Sequence, residues 1–236
     1  MRGRVRSGVT AACLLLAVAG CGQAHPKPRP TPPAAAQRAP VLRGFVIVVD
    51  PGHGRDPRTG RYTGATGVNG VAEDANVLDI AVRLAHLLRA DGATVVVTRG
   101  TYDPGPPPIR GLMARVRTAA RVHANLFISI HQNDDPRGRP STHGAATYYF
   151  TPASRALALD VQRALVAGTG LQDDGIHRRA FFVLLPWSRP SVLVEGGYLS
   201  NPQEARRIST ARFHQEEAAA LARGIVAYAR SRPLRP

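Results

Sequence analysis

Short β-branched segments alternate with longer amphipathic segments from residue 44 to the C-terminus, and this alternation constrains the fold more than any other feature. The first segment, at residues 45–49, reads Phe-Val-Ile-Val-Val and is apolar throughout, as in a strand that is covered on both faces. Residues 74–90 repeat apolar side chains at helical spacing. The pattern predicts a single three-layer α/β domain, whose central, mostly parallel, twisted sheet of about six strands is flanked by helices.

The individual elements follow from the same periodicities. We predict strands at residues 45–49, 94–98, 126–130, 145–150, 181–184 and 192–194. We predict helices at residues 74–90, 109–123, 154–167 and 213–230, with a proline-rich loop at 103–108. We interpret the Phe181-Phe182 pair as part of the core rather than as a stacking platform.

The first 43 residues differ in composition from the rest and predict export. Residues 1–20 join three arginines to an apolar stretch, as in a signal peptide of the lipoprotein type. Val18-Ala19-Gly20-Cys21 resembles a bacterial lipobox, which implies a lipid anchor at Cys21 and a protein held at the cell membrane, facing the wall. Cleavage at Ala17-Val18-Ala19 with free secretion is the alternative. Residues 21–43 are rich in proline and alanine and predict an extended tether.

Charge and cysteine content narrow the classes of partner and site. The formal net charge of +15 predicts an anionic partner, and export argues against nucleic acid. The two cysteines exclude both a zinc site of four thiolates and a disulfide framework.

Polar side chains follow three of the predicted strands at their carboxyl ends. They are His53, His131 and Glu195, and Glu73 precedes the first helix. The carboxyl ends of parallel strands share one edge of a sheet, so these side chains are expected to lie together. Two imidazoles and one carboxylate are the ligand set of a catalytic zinc site, beside which Glu195 would supply acid–base chemistry. Ordinary roles stay open: a turn histidine, a strand-end histidine bonded to backbone, and an acid at a helix N-terminus.

Five sequence blocks carry a resemblance to a known family. They lie in order at residues 48–54, 73–81, 97–99, 127–133 and 190–201, and they include Asp-Pro-Gly-His-Gly, Ser-Ile-His-Gln-Asn and Val-Glu-Gly-Gly-Tyr-Leu-Ser-Asn. Residues 45 to about 230 resemble the zinc-dependent N-acetylmuramoyl-L-alanine amidases of the amidase 3 type.

The resemblance implies a function and a site. It implies one Zn²⁺ per chain bound by His53, Glu73 and His131, a catalytic carboxylate at Glu195, and a catalytic domain at residues 44–236. The substrate would be peptidoglycan or muropeptides, cleaved between the lactyl group of N-acetylmuramic acid and L-alanine. Two alternatives remain: a module that binds peptidoglycan without cutting it, and a zinc peptidase acting on the stem peptide.

Four further residues are candidates for supporting the site. Arg99 and Asn133 belong to the same edge of the predicted sheet and are expected to support the metal ligands or to contact substrate. His177 and Arg178 are candidates for substrate contact, with an ordinary surface loop as the alternative for His177. We expect a monomer.

Overall fold

The structure, a computed structural model, describes residues 40–54, 59, 61–99, 111–185 and 188–234. Within these ranges the strands are β1 (Val46–Pro51), β2 (Thr94–Val97), β3 (Leu126–Asn133), β4 (Ala145–Tyr149), β5 (Asp173–Arg178) and β6 (Ser191–Tyr198). The α-helices are α1 (Glu73–Ala90), α2 (Leu112–Arg121), α3 (Arg155–Thr169), α4 (Pro202–Ile208) and α5 (Ala211–Ser231). Short 3-10 turns lie at Pro152–Ser154 and Phe182–Leu184.

The strands form one sheet in the order β2-β1-β3-β6-β4-β5. β1 pairs in parallel with β2 and β3, β3 with β6, and β4 with β5, whereas β4 and β6 are antiparallel. The central strands β1, β3 and β6 therefore run in the same direction, and their carboxyl ends meet at one edge of the sheet. The predicted mostly parallel sheet of about six strands is confirmed.

Helices cover both faces of the sheet and give the three predicted layers. Helices α1, α3 and α5 pack on one face, where Ile47 and Ile128 are fully buried. Helix α2 and the turn at Phe182–Leu184 cover the other face, where Val48 and Phe127 are buried. Successive residues of a strand point to opposite faces, so the continuous apolar runs of the central strands supply both layers of core.

One predicted strand is wrong. Residues 182–184 of this segment form a 3-10 turn, and the sheet instead ends on one side at β5, whose sequence is Asp-Asp-Gly-Ile-His-Arg. A short apolar run does not by itself distinguish a strand from a buried turn. β5 pairs only with β4 and is mostly half-buried, so it carries no apolar run that would identify it.

Helix α4 was not predicted, although its sequence carries a start signal. The Asn201 side chain accepts hydrogen bonds from the backbone N–H groups of Gln203 (2.9 Å) and Glu204 (3.1 Å), and Pro202 occupies the first helical position. Asparagine as an N-cap followed by proline is a favoured way to begin a helix. The segment has only seven residues, which is too short for an apolar period to be recognised.

Some predictions fall outside the described residues. They are the signal peptide at 1–20, most of the tether at 21–43 including Cys21, the loop at 103–108 and the start of the helix predicted at 109–123. The described part of that helix is α2. Among the described helices, none has both the length and the apolar character that crossing a membrane requires.

Candidate active site

Two histidines and one glutamate converge at the carboxyl edge of the sheet. The His53 Nε2 atom lies 3.1 Å from Glu73 Oε2, and His131 Nδ1 lies 3.0 Å from His53 Nε2 and 3.2 Å from Glu73 Oε1. The three ligand atoms all lie within 4.8 Å of one another. The structure therefore brings together the three side chains that the sequence predicted as metal ligands.

Glu73 is the buried anchor of this group. Its side chain is 2% exposed, and its two oxygens also accept hydrogen bonds from the backbone N–H groups of Ala65 and Gln132, each at 3.1 Å. Burial alone raises the pKa of Glu73, but hydrogen bonds from His131 and His53 outweigh it and lower the pKa to about 2. The group is thus ionised at neutral pH, as a metal ligand must be.

The imidazole rings of His53 and His131 can approach each other because residue 52, in the backbone beside them, is a glycine. His131 lies in β3, beside β1, and its ring packs against the backbone of Gly52 in the loop that follows β1. A β-carbon on residue 52 would overlap that ring. The rings of His53 and His131 consequently cross at 82° with their centroids 4.7 Å apart.

The chemistry of this donor set fits zinc. Two imidazole nitrogens and one carboxylate are the protein ligands of catalytic zinc sites that keep a fourth position for water or substrate. His53 and His131 also line a cavity of about 470 Å³, so the group is open on one side.

Glu195 lies on β6 beside the metal group. It pairs with His131 in the register of β3 and β6, so the two side chains are neighbours across the strands. Its Oε2 atom is buried and has no hydrogen-bond partner among the described residues. Burial raises the pKa of Glu195 well above its usual value, and the charges of Glu73 and Glu217 add to the rise. A carboxyl group of this kind is suited to exchanging a proton rather than to a fixed ion pair.

The other side of the cavity is apolar, which corrects the interpretation of Phe181 and Phe182 as core. Their exposed fractions are 38% and 44%, and both line the cavity with Leu112 of α2, which is 54% exposed. Exposed apolar side chains that line one cavity beside polar groups are typical of a ligand-binding groove. We call Leu112, Phe181 and Phe182 the apolar shelf.

Arg99 and Asn133 lie at the predicted edge but in different surroundings. Arg99 donates to the carbonyl oxygens of Gly52 (2.7 Å) and Asp74 (2.8 Å), so its guanidinium holds the backbone around the metal group. Asn133 ends β3, and its side-chain oxygen accepts a hydrogen bond from the backbone N–H of Asp134. For both residues, support of the metal ligands or contact with substrate stays a prediction.

His177 and Arg178 lie farther from the metal group, on the edge strand β5. The His177 Nε2 atom is bonded to the carbonyl oxygen of Asp174 (2.8 Å), and its ring lies 5.5 Å from that of Tyr148. Arg178 donates to the carbonyl oxygen of Phe150 and lies over that ring. Strands β4 and β6 separate β5 from β3, and the geometry does not bring these two residues to the metal group.

Sequence reasoning missed a buried ion pair beneath the site. Asp50, at the end of β1, is 1% exposed and accepts a hydrogen bond from Arg115 of α2 at 2.7 Å, together with bonds from Ser129 and Thr98. The available signal was that Arg115 lies on the apolar face of its helix, three residues after Leu112 and four before Ala119.

The chain matches a known family over most of its length. A family model described as N-acetylmuramoyl-L-alanine amidase, Amidase_3, matches residues 47–227, a range that includes the metal group, Glu195 and all but the first residue of the sheet. The chain belongs to the Amidase_3 family. The family predicted from the sequence blocks is thereby confirmed.

Individual members of the family agree with this assignment. The chain is 36% identical over 195 residues to the N-acetylmuramoyl-L-alanine amidase LytC of Bacillus subtilis, covering 81% of this chain but 36% of LytC. It is 32% identical to YqiI, an uncharacterized protein of the same species, covering 82% of this chain and 89% of YqiI. The solved catalytic domain of CwlV, an amidase from Bacillus (Paenibacillus) polymyxa, matches with a TM-score of 0.70 and 32% identity, covering 78% of this chain and 97% of that one.

Proposed function

We propose that this protein is a zinc-dependent peptidoglycan hydrolase that cleaves the amide bond between the lactyl group of N-acetylmuramic acid and the L-alanine of the stem peptide. The observation that carries the proposal is the convergence of His53, Glu73 and His131 at a cavity, with Glu195 on the next strand, whose buried Oε2 atom has no hydrogen-bond partner among the described residues. Membership of the Amidase_3 family supports this bond as the one cleaved.

The three ligands would hold the ion, and Glu195 would move the proton. Zinc bound by these side chains would polarise the amide carbonyl and make a water molecule acidic enough to attack near neutral pH. Glu195 would accept the proton of the attacking water on its carboxylate as the new carbon–oxygen bond forms. It then returns that proton to the nitrogen of L-alanine as the carbon–nitrogen bond breaks. Burial raises the pKa of Glu195 above its usual value, which favours a carboxyl group that both accepts and returns a proton.

Metal removal and product analysis test the reaction itself. We expect a chelator to abolish the digestion of purified wall and stoichiometric Zn²⁺ to restore it. His131→Ala should lose both zinc and activity, because it removes one of three ligands. His86→Ala, at an exposed position of α1, is the matched control and should retain both.

Mass spectrometry of the digest separates this function from its alternatives. Intact stem peptides with a free L-alanine amine, together with glycan that retains its lactyl groups, are the expected products. Shortened stems still attached to the glycan would indicate a zinc peptidase. Wall binding without new termini in the zinc-loaded protein would indicate a non-catalytic module and contradict the proposal.

The apolar shelf is proposed to contact the substrate. Phe182→Ala should raise KM for a muropeptide about tenfold and change kcat little, because losing a partly buried aromatic contact costs about 1 to 2 kcal/mol of binding. Steady-state kinetics of the zinc-loaded variant measure this split. Leu234→Ala removes an exposed apolar side chain outside the cavity lining and is the control. An unchanged KM for Phe182→Ala would show that the apolar shelf does not contact the substrate.

The cellular setting follows from the N-terminal sequence. We propose that residues 1–20 direct export, that Cys21 carries a lipid anchor and that residues 21–43 tether the domain at 44–236 to the membrane facing the wall. Free secretion after cleavage near Ala19 stays the alternative, and the monomeric state stays a prediction.

A further inference from the structure

Two arginines from different elements bind the carbonyl oxygens of the loop that carries His53. Arg115 of α2 donates to the carbonyl oxygens of Pro51 (2.6 Å) and His53. Arg99, which follows β2, donates to those of Pro51 (3.2 Å) and Gly52 (2.7 Å). Three consecutive carbonyl groups at the end of β1 are thus bound by guanidinium groups.

Arg115 is itself held in a fixed position. Its side chain is 7% exposed, and its Nη1 atom forms an ion pair with Asp50 Oδ1 at 2.7 Å. Asp50 is fixed in turn by hydrogen bonds from Ser129 and Thr98. Because a guanidinium is a planar and rigid fork, its Nη2 atom reaches the His53 carbonyl while Nη1 stays on Asp50. The loop is therefore connected to a buried network rather than to a mobile surface side chain.

His53 has a backbone conformation that needs such a connection. Its φ angle is +56°, in the left-handed region that residues other than glycine seldom adopt. This conformation turns the imidazole toward Glu73 and His131. Residues in sparsely populated backbone regions persist only where the surrounding structure holds them, and Arg115 binds the carbonyl group of this very residue.

We propose that Arg115 is a positioning residue of the metal centre, which holds the backbone of His53 so that its imidazole reaches the metal. The proposal rests on the zinc site of the proposed function. Arg115 acts through His53 and is not itself a ligand. The competing explanation is that Arg115 only neutralises Asp50, in which case its replacement would lower stability and leave metal affinity unchanged.

Zinc affinity, measured by competition with a chromophoric chelator, distinguishes the two explanations. In Arg115→Lys the ammonium keeps a positive charge beside Asp50 but cannot span Asp50 and the His53 carbonyl together. We expect zinc affinity to fall about 10- to 100-fold, as when other groups that orient metal ligands are removed. Arg117→Lys, at an exposed position of the same helix, is the matched control and should bind zinc like the unaltered protein.

A second variant tests the same proposal in case Arg115→Lys does not fold. Asp50→Asn combined with Arg115→Met removes both charges together, so no unpaired charge is left buried, and the carbonyl of His53 still loses its partner. Circular dichroism and thermal unfolding of the metal-free proteins establish the folded state. Zinc affinity equal to that of the unaltered protein in either folded variant would overturn the assignment. Failure of the unaltered protein to bind zinc would instead overturn the proposed function, and this assignment with it.

Discussion

Glu195→Gln is expected to lower kcat for muropeptide hydrolysis about 10³-fold while zinc affinity stays unchanged. Glutamine keeps the shape of the side chain but neither accepts the proton of the attacking water nor returns one to the departing amine. Glu195 lies beside His131 across the β3–β6 register and outside the group of three ligand atoms, so zinc should still bind. Chelator competition and single-turnover hydrolysis on the same preparation measure the two quantities separately.

The matched control is Glu216→Gln on α5. Glu216 forms ion pairs with Arg212 and Arg207 at the surface, and the loss of those pairs should leave both zinc affinity and kcat unchanged. If Glu195→Gln hydrolyses substrate at nearly the original rate, the proton is carried by another group and the proposed role is wrong. If it loses zinc instead, Glu195 is a ligand.

Glu217→Met is expected to stabilise the protein, by an amount that grows with pH. Glu217 lies in α5 against β6, fully buried, and neither carboxyl oxygen has a hydrogen-bond partner among the described residues. Its carboxyl fills the space where a β-carbon of residue 196 would lie, so Gly196 is required there. Burial raises its pKa from 4.5 to about 8. Methionine is unbranched and of similar length, and it removes the cost of burying an acid.

The pH window follows from the direction of that pKa shift. Below about pH 4.5 Glu217 is protonated in both the folded and the unfolded chain, so it has no pH-dependent effect. Between about pH 4.5 and 8 the unfolded chain releases the proton and the folded chain keeps it, so unfolding becomes progressively more favourable. The pH-dependent part of the advantage of Glu217→Met should therefore rise across this window and level off at about 4 to 5 kcal/mol above about pH 8.

Urea unfolding of the metal-free proteins at several pH values measures this advantage. Glu216→Met, at the preceding position of the same helix and only partly buried, should show no gain that rises between pH 4.5 and 8. A difference between Glu217→Met and the unaltered protein that is constant with pH would mean that the buried carboxyl ionises normally in the folded state.

Much of the fold follows from local patterns in the sequence. The helical repeat of α1 identifies that element, because a period of about 3.6 residues arises from backbone geometry alone, and the continuous β-branched run of β1 is typical of a strand covered on both faces. The edge strand β5 has no such pattern, since only one of its sides is paired and its residues are mostly half-buried. A short apolar run such as residues 181–184 predicts neither a strand nor a turn on its own, because its burial depends on what packs over it.

The sequence by itself determined the family and the group of side chains at the carboxyl edge of the sheet. His53, His131 and Glu195 could be placed together because each lies at or near the carboxyl end of one of three parallel strands, and that relation follows from topology. Only the tertiary structure decided that Arg115 binds the backbone of His53 and that Glu217 lies beneath Gly196. Those contacts join residues far apart in the chain through the packing of a helix on a sheet, and no local period encodes which side chains such packing brings together.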